Sequence, residues 1–270
     1  MERLLEHCTL CPRRCGVNRA AGERGCCGAG ETVRVARAAL HPWEEPCISG
    51  SRGSGTVFFS HCTLGCVFCQ NAPLSREGAG LEIGTGRLGE IFLELQAQGA
   101  HNINLVTPTH YVPQILEAAA LARADGLRIP FVYNCGGYEL PETVALLDGT
   151  VDLWLPDFKY AQSRPAARYS AAADYPERAL EAIEAMVRQT GAPRFGPDGL
   201  LQKGVLVRHL LLPGLLADSM RAVELLAERF EGRILLSLMS QFTPMPACSA
   251  RFPELSRPVN PRHYEALVEF

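Results

Sequence analysis

Thr56-Val-Phe-Phe-Ser-His-Cys62-Thr-Leu-Gly-Cys66-Val-Phe-Cys69-Gln-Asn71 is the stretch from which the rest of the chain is read. Thr56 to Phe59 is apolar, β-branched and aromatic, the pattern of a buried strand. Three cysteines follow it at C-x3-C-x2-C spacing. A loop leaving the C-terminal end of a strand is where parallel α/β barrels place their chemistry. Thiolates bind soft metals, so this set suits a zinc site or an iron–sulfur cluster. Three ligands also leave one coordination position open, which a catalytic metal needs and a structural site lacks.

Upstream stands a second group, Cys8, Cys11 and Cys15 at C-x2-C-x3-C spacing, then Cys26-Cys27 after a Gly-rich turn. With either Cys26 or Cys27 as fourth ligand this is a candidate four-thiolate site, for zinc or for a second iron–sulfur cluster. Eleven cysteines behind a start, Met-Glu-Arg-Leu-Leu-Glu-His, that lacks a signal peptide's apolar centre point to metal or redox chemistry in a reducing cytoplasm rather than to disulfides. Val33 to Leu40 reads as a strand and His41-Pro-Trp-Glu-Glu-Pro46 as a rigid turn, because each proline fixes φ. Ser49 to Gly55 reads as a flexible glycine-rich lead into the cysteine strand. Residues 1–47 are therefore taken as a Cys-rich N-terminal extension and 48–270 as the core.

Downstream, two periods alternate. Helix faces are marked by Leu88, Ile91, Phe92 and Leu95, by Ile115, Ala118, Ala119 and Ala122, by Leu180, Ile183, Met186 and Val187, and by Met220, Val223, Ala227 and Phe230, with a shorter helix over 141–147. Between them lie apolar strand runs at 102–106, 129–134, 151–157, 205–212 and 233–239. Strand–helix alternation implies right-handed βαβ units and a parallel sheet, here of six strands. The chain closes on an amphipathic helix from Pro261 with no recognisable cap or stop signal, as though its natural end were lost or the helix short.

Composition limits the partners. Hydrophobic residues make up 47% and charged residues 20%, as in a globular protein. A net charge of −3 gives no basic footprint for nucleic acid, and no apolar run is long enough to span a membrane.

The strand ends carry polar residues where an active face of this architecture places them. They are Thr107-Pro-Thr109-His110, then Asn134 before Cys135, then Asp157-Phe-Lys159 and Arg208-His209. Alternation puts Asp157 and Lys159 on one face, and a buried Asp–Lys pair is costly unless it serves a ligand. It puts Arg208 and His209 on opposite faces; His209, which shares its side with Leu211, is taken to look inward.

The cysteine motif resembles that of the radical S-adenosylmethionine (SAM) superfamily. Cys8-x2-Cys-Pro-Arg-Arg-Cys15, Cys66-Val-Phe-Cys-Gln-Asn71, Leu155-Pro-Asp-Phe-Lys159, Arg208-His-Leu-Leu-Leu-Pro-Gly214 and Leu238-Met-Ser-Gln241 together resemble a narrower branch, similar to pyruvate formate-lyase activating enzymes. The resemblance implies a partial (β/α)6 TIM-type barrel. It implies a 4Fe–4S cluster on Cys62, Cys66 and Cys69 whose open iron is chelated by SAM, with Phe68 packed near the adenine. It implies an electron donor such as flavodoxin or ferredoxin, a 5′-deoxyadenosyl radical, and hydrogen abstraction from a protein substrate. The superfamily's Gly-Gly-Glu segment for the SAM amine is missing. Thr107, Thr109 and His110 stand in its place, with Asn134, Asp157, Lys159 and His209 as further SAM contacts.

Overall fold

The computed structural model describes residues 3–270. Met1 and Glu2, part of the start read above, lie outside them. Nine strands form one sheet: β1 (Val33–His41), β2 (Ser54–Phe59), β3 (Leu81–Ile83), β4 (Ile103–Val106), β5 (Phe131–Cys135), β6 (Leu153–Pro156), β7 (Arg194–Phe195), β8 (Leu201–Leu210) and β9 (Leu235–Met239). The order is β3-β1-β2-β4-β5-β6-β8-β7, with β9 on the later half of β8. β2, β4, β5, β6, β8 and β9 run parallel, each beside its sequence neighbour in that series. These are the six strands that the apolar runs predict. β1 and β3 extend the β2 edge antiparallel, and β7 folds antiparallel onto the start of β8.

The connecting helices follow from the periodic faces. Thr85–Ala97 buries Leu88, Phe92 and Leu95, while Val112–Ala124 buries Ile115, Ala118, Ala119 and Ala122. They pack with Val57, Phe59, Leu105 and Phe131 on one side of the sheet. Tyr175–Thr190 and Leu216–Phe230 bury their faces with Tyr133, Trp154, Val205 and Val207. The helix Ser163–Ser170 and the β7–β8 hairpin lie outside the periodic reading. The helix has only Ala and Tyr as its buried apolar side chains besides a proline, and two residues of β7 cannot show a period. No helix of the described residues is long and apolar enough to cross a membrane.

Two expectations need correction. The last helix, Pro261–Glu269, does have a cap: the Asn260 side chain accepts from the Arg262 backbone N–H at 3.0 Å, with proline at the first helical position. The lead into β2 is not simply flexible either, since Pro46–Ser49 is a short helix and β2 already starts at Ser54.

That short helix sets the floor of the molecule's central space. Ile48 is buried among Val132, Leu153, Leu155, Leu201 and Leu206. Strand alternation puts Val132 on the side of Asn134, Leu155 on that of Asp157, and Leu206 on that of Arg208. The segment thus fills the space beneath the polar strand ends. Asn102 secures it, donating from Nδ2 to the Ile48 carbonyl at 2.8 Å.

Candidate functional site

Above this floor a cavity of about 290 Å³ opens at the C-terminal ends of the parallel strands. Cys62, Cys66, Phe68 and Cys69 form one wall, from the loop that leaves β2. Thr107 and Thr109 after β4, Asn134 and Cys135 in β5, Asp157 and Lys159 after β6, and Arg208 in β8 form the other sides. Nine residues expected from the sequence therefore share one cavity: the three cysteines, Phe68, Thr107, Thr109, Asn134, Asp157 and Lys159.

The cysteine loop is held from outside. Arg13 donates to the Thr63 carbonyl at 3.1 Å and to the Ala171 and Ser170 carbonyls at 2.6 and 3.1 Å. The Val67 N–H bonds the Tyr169 carbonyl at 2.8 Å. Each sulfur accepts one hydrogen bond: Cys62 from the Leu64 N–H at 3.4 Å, Cys66 from the Ser170 hydroxyl at 3.0 Å, and Cys69 from the Ser75 hydroxyl at 3.3 Å. Such donors favour the thiolate that a metal requires. Burial works against it, raising Cys62 and pushing Cys66 up to about 11, while the Lys159 ammonium draws both back.

Among the described residues no three His, Cys, Asp or Glu side chains converge as a single-ion site does. An iron–sulfur cluster spreads its thiolates around a body larger than one ion. Three sulfurs on a common wall, each with a hydrogen-bond donor, are a donor set that fits such a cluster.

The opposite side is a charged network. Lys159 Nζ lies 2.6 Å from Asp157 Oδ2, and Arg208 Nε lies 3.1 Å from Asp157 Oδ1. Arg208 also donates to Glu44 Oε1 at 3.0 Å and to Asn134 Oδ1 at 2.6 Å. Glu44 Oε2 in turn accepts from Asn104 and Asn134 at 2.8 and 3.0 Å. Burial alone would raise Asp157, but Lys159 and Arg208 overcome it and hold the carboxyl below its usual range. Two cations and two carboxylates offset one another across this network.

Two predicted residues lie elsewhere. His209 does not line the cavity; its ring bonds the Phe158 carbonyl at 2.6 Å and the Ser219 hydroxyl at 2.8 Å, between the sheet and the following helix. Leu211, used to choose its side, marks the helix-packed face. Arg208 occupies the inward position instead. His110 is buried outside the cavity, its Nε2 2.7 Å from the Ser60 carbonyl, and burial lowers its pKa to about 3. Thr107 does face the cavity, with an unusual φ of +59° for a β-branched residue.

The sequence reading missed Arg208 and Glu44. A charge inside an apolar strand run marked Arg208 as a candidate, but alternation alone does not choose between it and His209. Glu44 had no such signal: it sits in a proline-bounded turn beside an equally acidic Glu45. Glu139 also went unread. It is fully buried, accepts from Thr109 at 2.7 Å and Tyr133 at 3.4 Å, and burial raises it to about 8.

No family model matches the chain. Over 280 residues it is 25% identical to the uncharacterised protein MJ0674 of Methanocaldococcus jannaschii, spanning 99% of this chain and 75% of that one. A looser structural match, native anSMEcpe with bound AdoMet, has a TM-score of 0.44 at 10% identity, over 71% of this chain and 55% of that one. Streptococcus suis SuiB, solved with its precursor peptide SuiA, superposes with a TM-score of 0.52 at 12% identity, over 77% of this chain. The chain spans only 43% of SuiB's length, and what the two share is the fold, mixed α/β around a central sheet.

Proposed function

We propose that the chain is a radical SAM enzyme acting on a protein or peptide. One observation carries the reading: a C-x3-C-x2-C thiol wall and a wall of Asn134, Asp157, Lys159 and Arg208 face each other across one cavity at the strand ends. In this reading the six parallel strands form the partial (β/α)6 barrel. Cys62, Cys66 and Cys69 hold a 4Fe–4S cluster. When bound, that cluster supplies the electron that cleaves the SAM sulfonium to a 5′-deoxyadenosyl radical, itself drawing on a donor such as flavodoxin or ferredoxin.

The chain's own residues bind and orient. Lys159 and Arg208 are placed to donate to the SAM carboxylate, and Asp157 and Asn134 to accept from its ammonium or ribose hydroxyls. Thr107 and Thr109 offer hydroxyls where the superfamily has carboxylate and glycines, and Phe68 offers a ring to the adenine. Hydrogen abstraction from a glycine of a partner enzyme is the reaction that the branch resemblance favours. Modification of a peptide is the second reading, favoured by the fold shared with SuiB, which was solved with a precursor peptide. A reducing cytoplasm would suit either.

Anaerobic reconstitution with iron and sulfide, then reduction with SAM present, should release 5′-deoxyadenosine. Alanine at Cys62, Cys66 or Cys69 should abolish both the product and the cluster's visible absorption. Full cleavage by any of the three variants would overturn the assignment.

A further inference from the structure

Glu139 lies in the segment that leaves β5 and is 1% exposed. Its neighbours in sequence fix it there. Gly137 turns the chain with a φ of +77°, and a Cβ on it would stand 2.1 Å from the Asp157 carbonyl, so only glycine serves. Tyr138 then donates its hydroxyl proton to Asp174 at 2.7 Å, and the N–H groups of Thr143 and Val144 close a turn on the Leu140 carbonyl at 3.0 Å.

A buried carboxyl is costly unless it is paired or hydrogen-bonded. The cavity's cations are engaged elsewhere: Lys159 pairs with Asp157, and Arg208 with Asp157 and Glu44. Glu139 is met by hydroxyls instead, Thr109 donating to Oε1 at 2.7 Å and Tyr133 to Oε2 at 3.4 Å. Thr109 is the link to the cavity, which it lines. It opens the short turn Thr109–Tyr111 after β4, and the next residue anchors that turn, His110 Nε2 lying 2.7 Å from the Ser60 carbonyl. A hydroxyl has one proton and two lone pairs. Thr109 gives its proton to Glu139, whose carboxyl can accept through either oxygen when ionised and through its carbonyl oxygen when protonated. What remains for the cavity is an acceptor.

We propose that Glu139 is a positioning residue, which fixes the Thr109 hydroxyl as an acceptor for the ammonium of SAM. The assignment rests on the radical SAM reading. The amino-acid end of SAM carries an ammonium and a carboxylate on one carbon, so its site must sort two opposite groups. Lys159 and Arg208 only donate and suit the carboxylate. A Thr109 free to turn its proton either way would serve both groups. Held by Glu139, it turns lone pairs against a carboxylate and favours the ammonium. Glu139 thus selects the orientation of the head group without touching it.

The test titrates the reconstituted, unreduced full chain by calorimetry with SAM and with the analogue in which hydrogen replaces the amino group. Glu139→Leu removes the acceptor and should weaken SAM roughly ten-fold while changing the analogue's affinity little. Glu139→Gln keeps a carbonyl oxygen and should restore most of the affinity for SAM. No loss in Glu139→Leu, or a loss equal for the two ligands, would overturn the assignment and leave the radical SAM reading standing. Failure of the unmutated chain to bind SAM would overturn both. Should Glu139→Leu not fold by circular dichroism, Thr109→Ser and Thr109→Val replace it. The first should keep the affinity for SAM, and the second should lose it roughly ten-fold for SAM alone. A Thr109→Val loss that is absent, or equal for the two ligands, would be decisive against the proposal.

Discussion

Glu44 and Arg208, 164 residues apart in sequence, form an ion pair at 3.0 Å beneath the cavity, with side chains only 10% and 16% exposed. One comes from the turn between β1 and β2 and the other from β8. Between them they fix the orientation in which Arg208 reaches Asp157 and Asn134.

Removing the Glu44 carboxylate should therefore loosen the cavity as well as the fold. Breaking a buried pair costs about 3–5 kcal/mol, and here the lower figure is expected because Asp157 still balances Arg208. Glu44→Ala should lose about 3 kcal/mol in urea denaturation. Glu44→Gln, which keeps the shape, should lose less stability yet still weaken SAM binding by calorimetry. A Glu44→Gln variant that keeps both the stability and the SAM affinity of the unmutated chain would assign Glu44 to packing alone.

Lys159 offers the sharper test of the SAM contacts. Lys159→Met keeps most of the side chain's length and removes the charge. A hydrogen bond to a charged group contributes about 1.5–3 kcal/mol, or roughly 10- to 150-fold in affinity. Titration of SAM into the reconstituted variant should show a loss of that order with the circular dichroism unchanged. Unaltered affinity would leave Lys159–Asp157 as an ordinary ion pair.

Glu139 makes stability depend on pH with an unusual sign. Its carboxyl sits near 8 in the fold against an ordinary 4.5. Between these values the unfolded chain releases a proton that the fold retains, so stability falls as pH rises, by at most about 1.4 kcal/mol per unit. His110, lowered from 6.5 to about 3, acts oppositely and only below 6.5. The comparison belongs at pH 6.5 to 8, where Glu139→Gln should flatten the decline in denaturation midpoint. Parallel profiles would mean that Glu139 is already ionised in the fold.

Much of the framework was legible because burial writes itself as a period. Strands such as Leu153–Pro156 are apolar because the sheet is covered on both sides, and helices such as Thr85–Ala97 expose one face and bury the other. The cavity's cysteines were legible because ligand spacing is local. What period and spacing cannot carry is a choice between two polar neighbours. Arg208 and His209 satisfy alternation equally well; only the helix that carries Ser219 decides which side is outside. Nor can they carry Glu44, whose role depends on a partner far along the chain.

The short helix beneath the cavity also bears on how the protein is made. Glu44 and Ile48 leave the ribosome long before Arg208 and Leu206, to which they must join. Synthesis proceeds from the N-terminus, so the lining of the central space is laid down first and its surroundings arrive later. The opening segment must therefore wait for its last partners, Leu206 for Ile48 and Arg208 for Glu44, until β8 is complete. A chain cut before that strand would keep its cysteine loop and the helix beneath it, but leave Glu44 without the cation it pairs with.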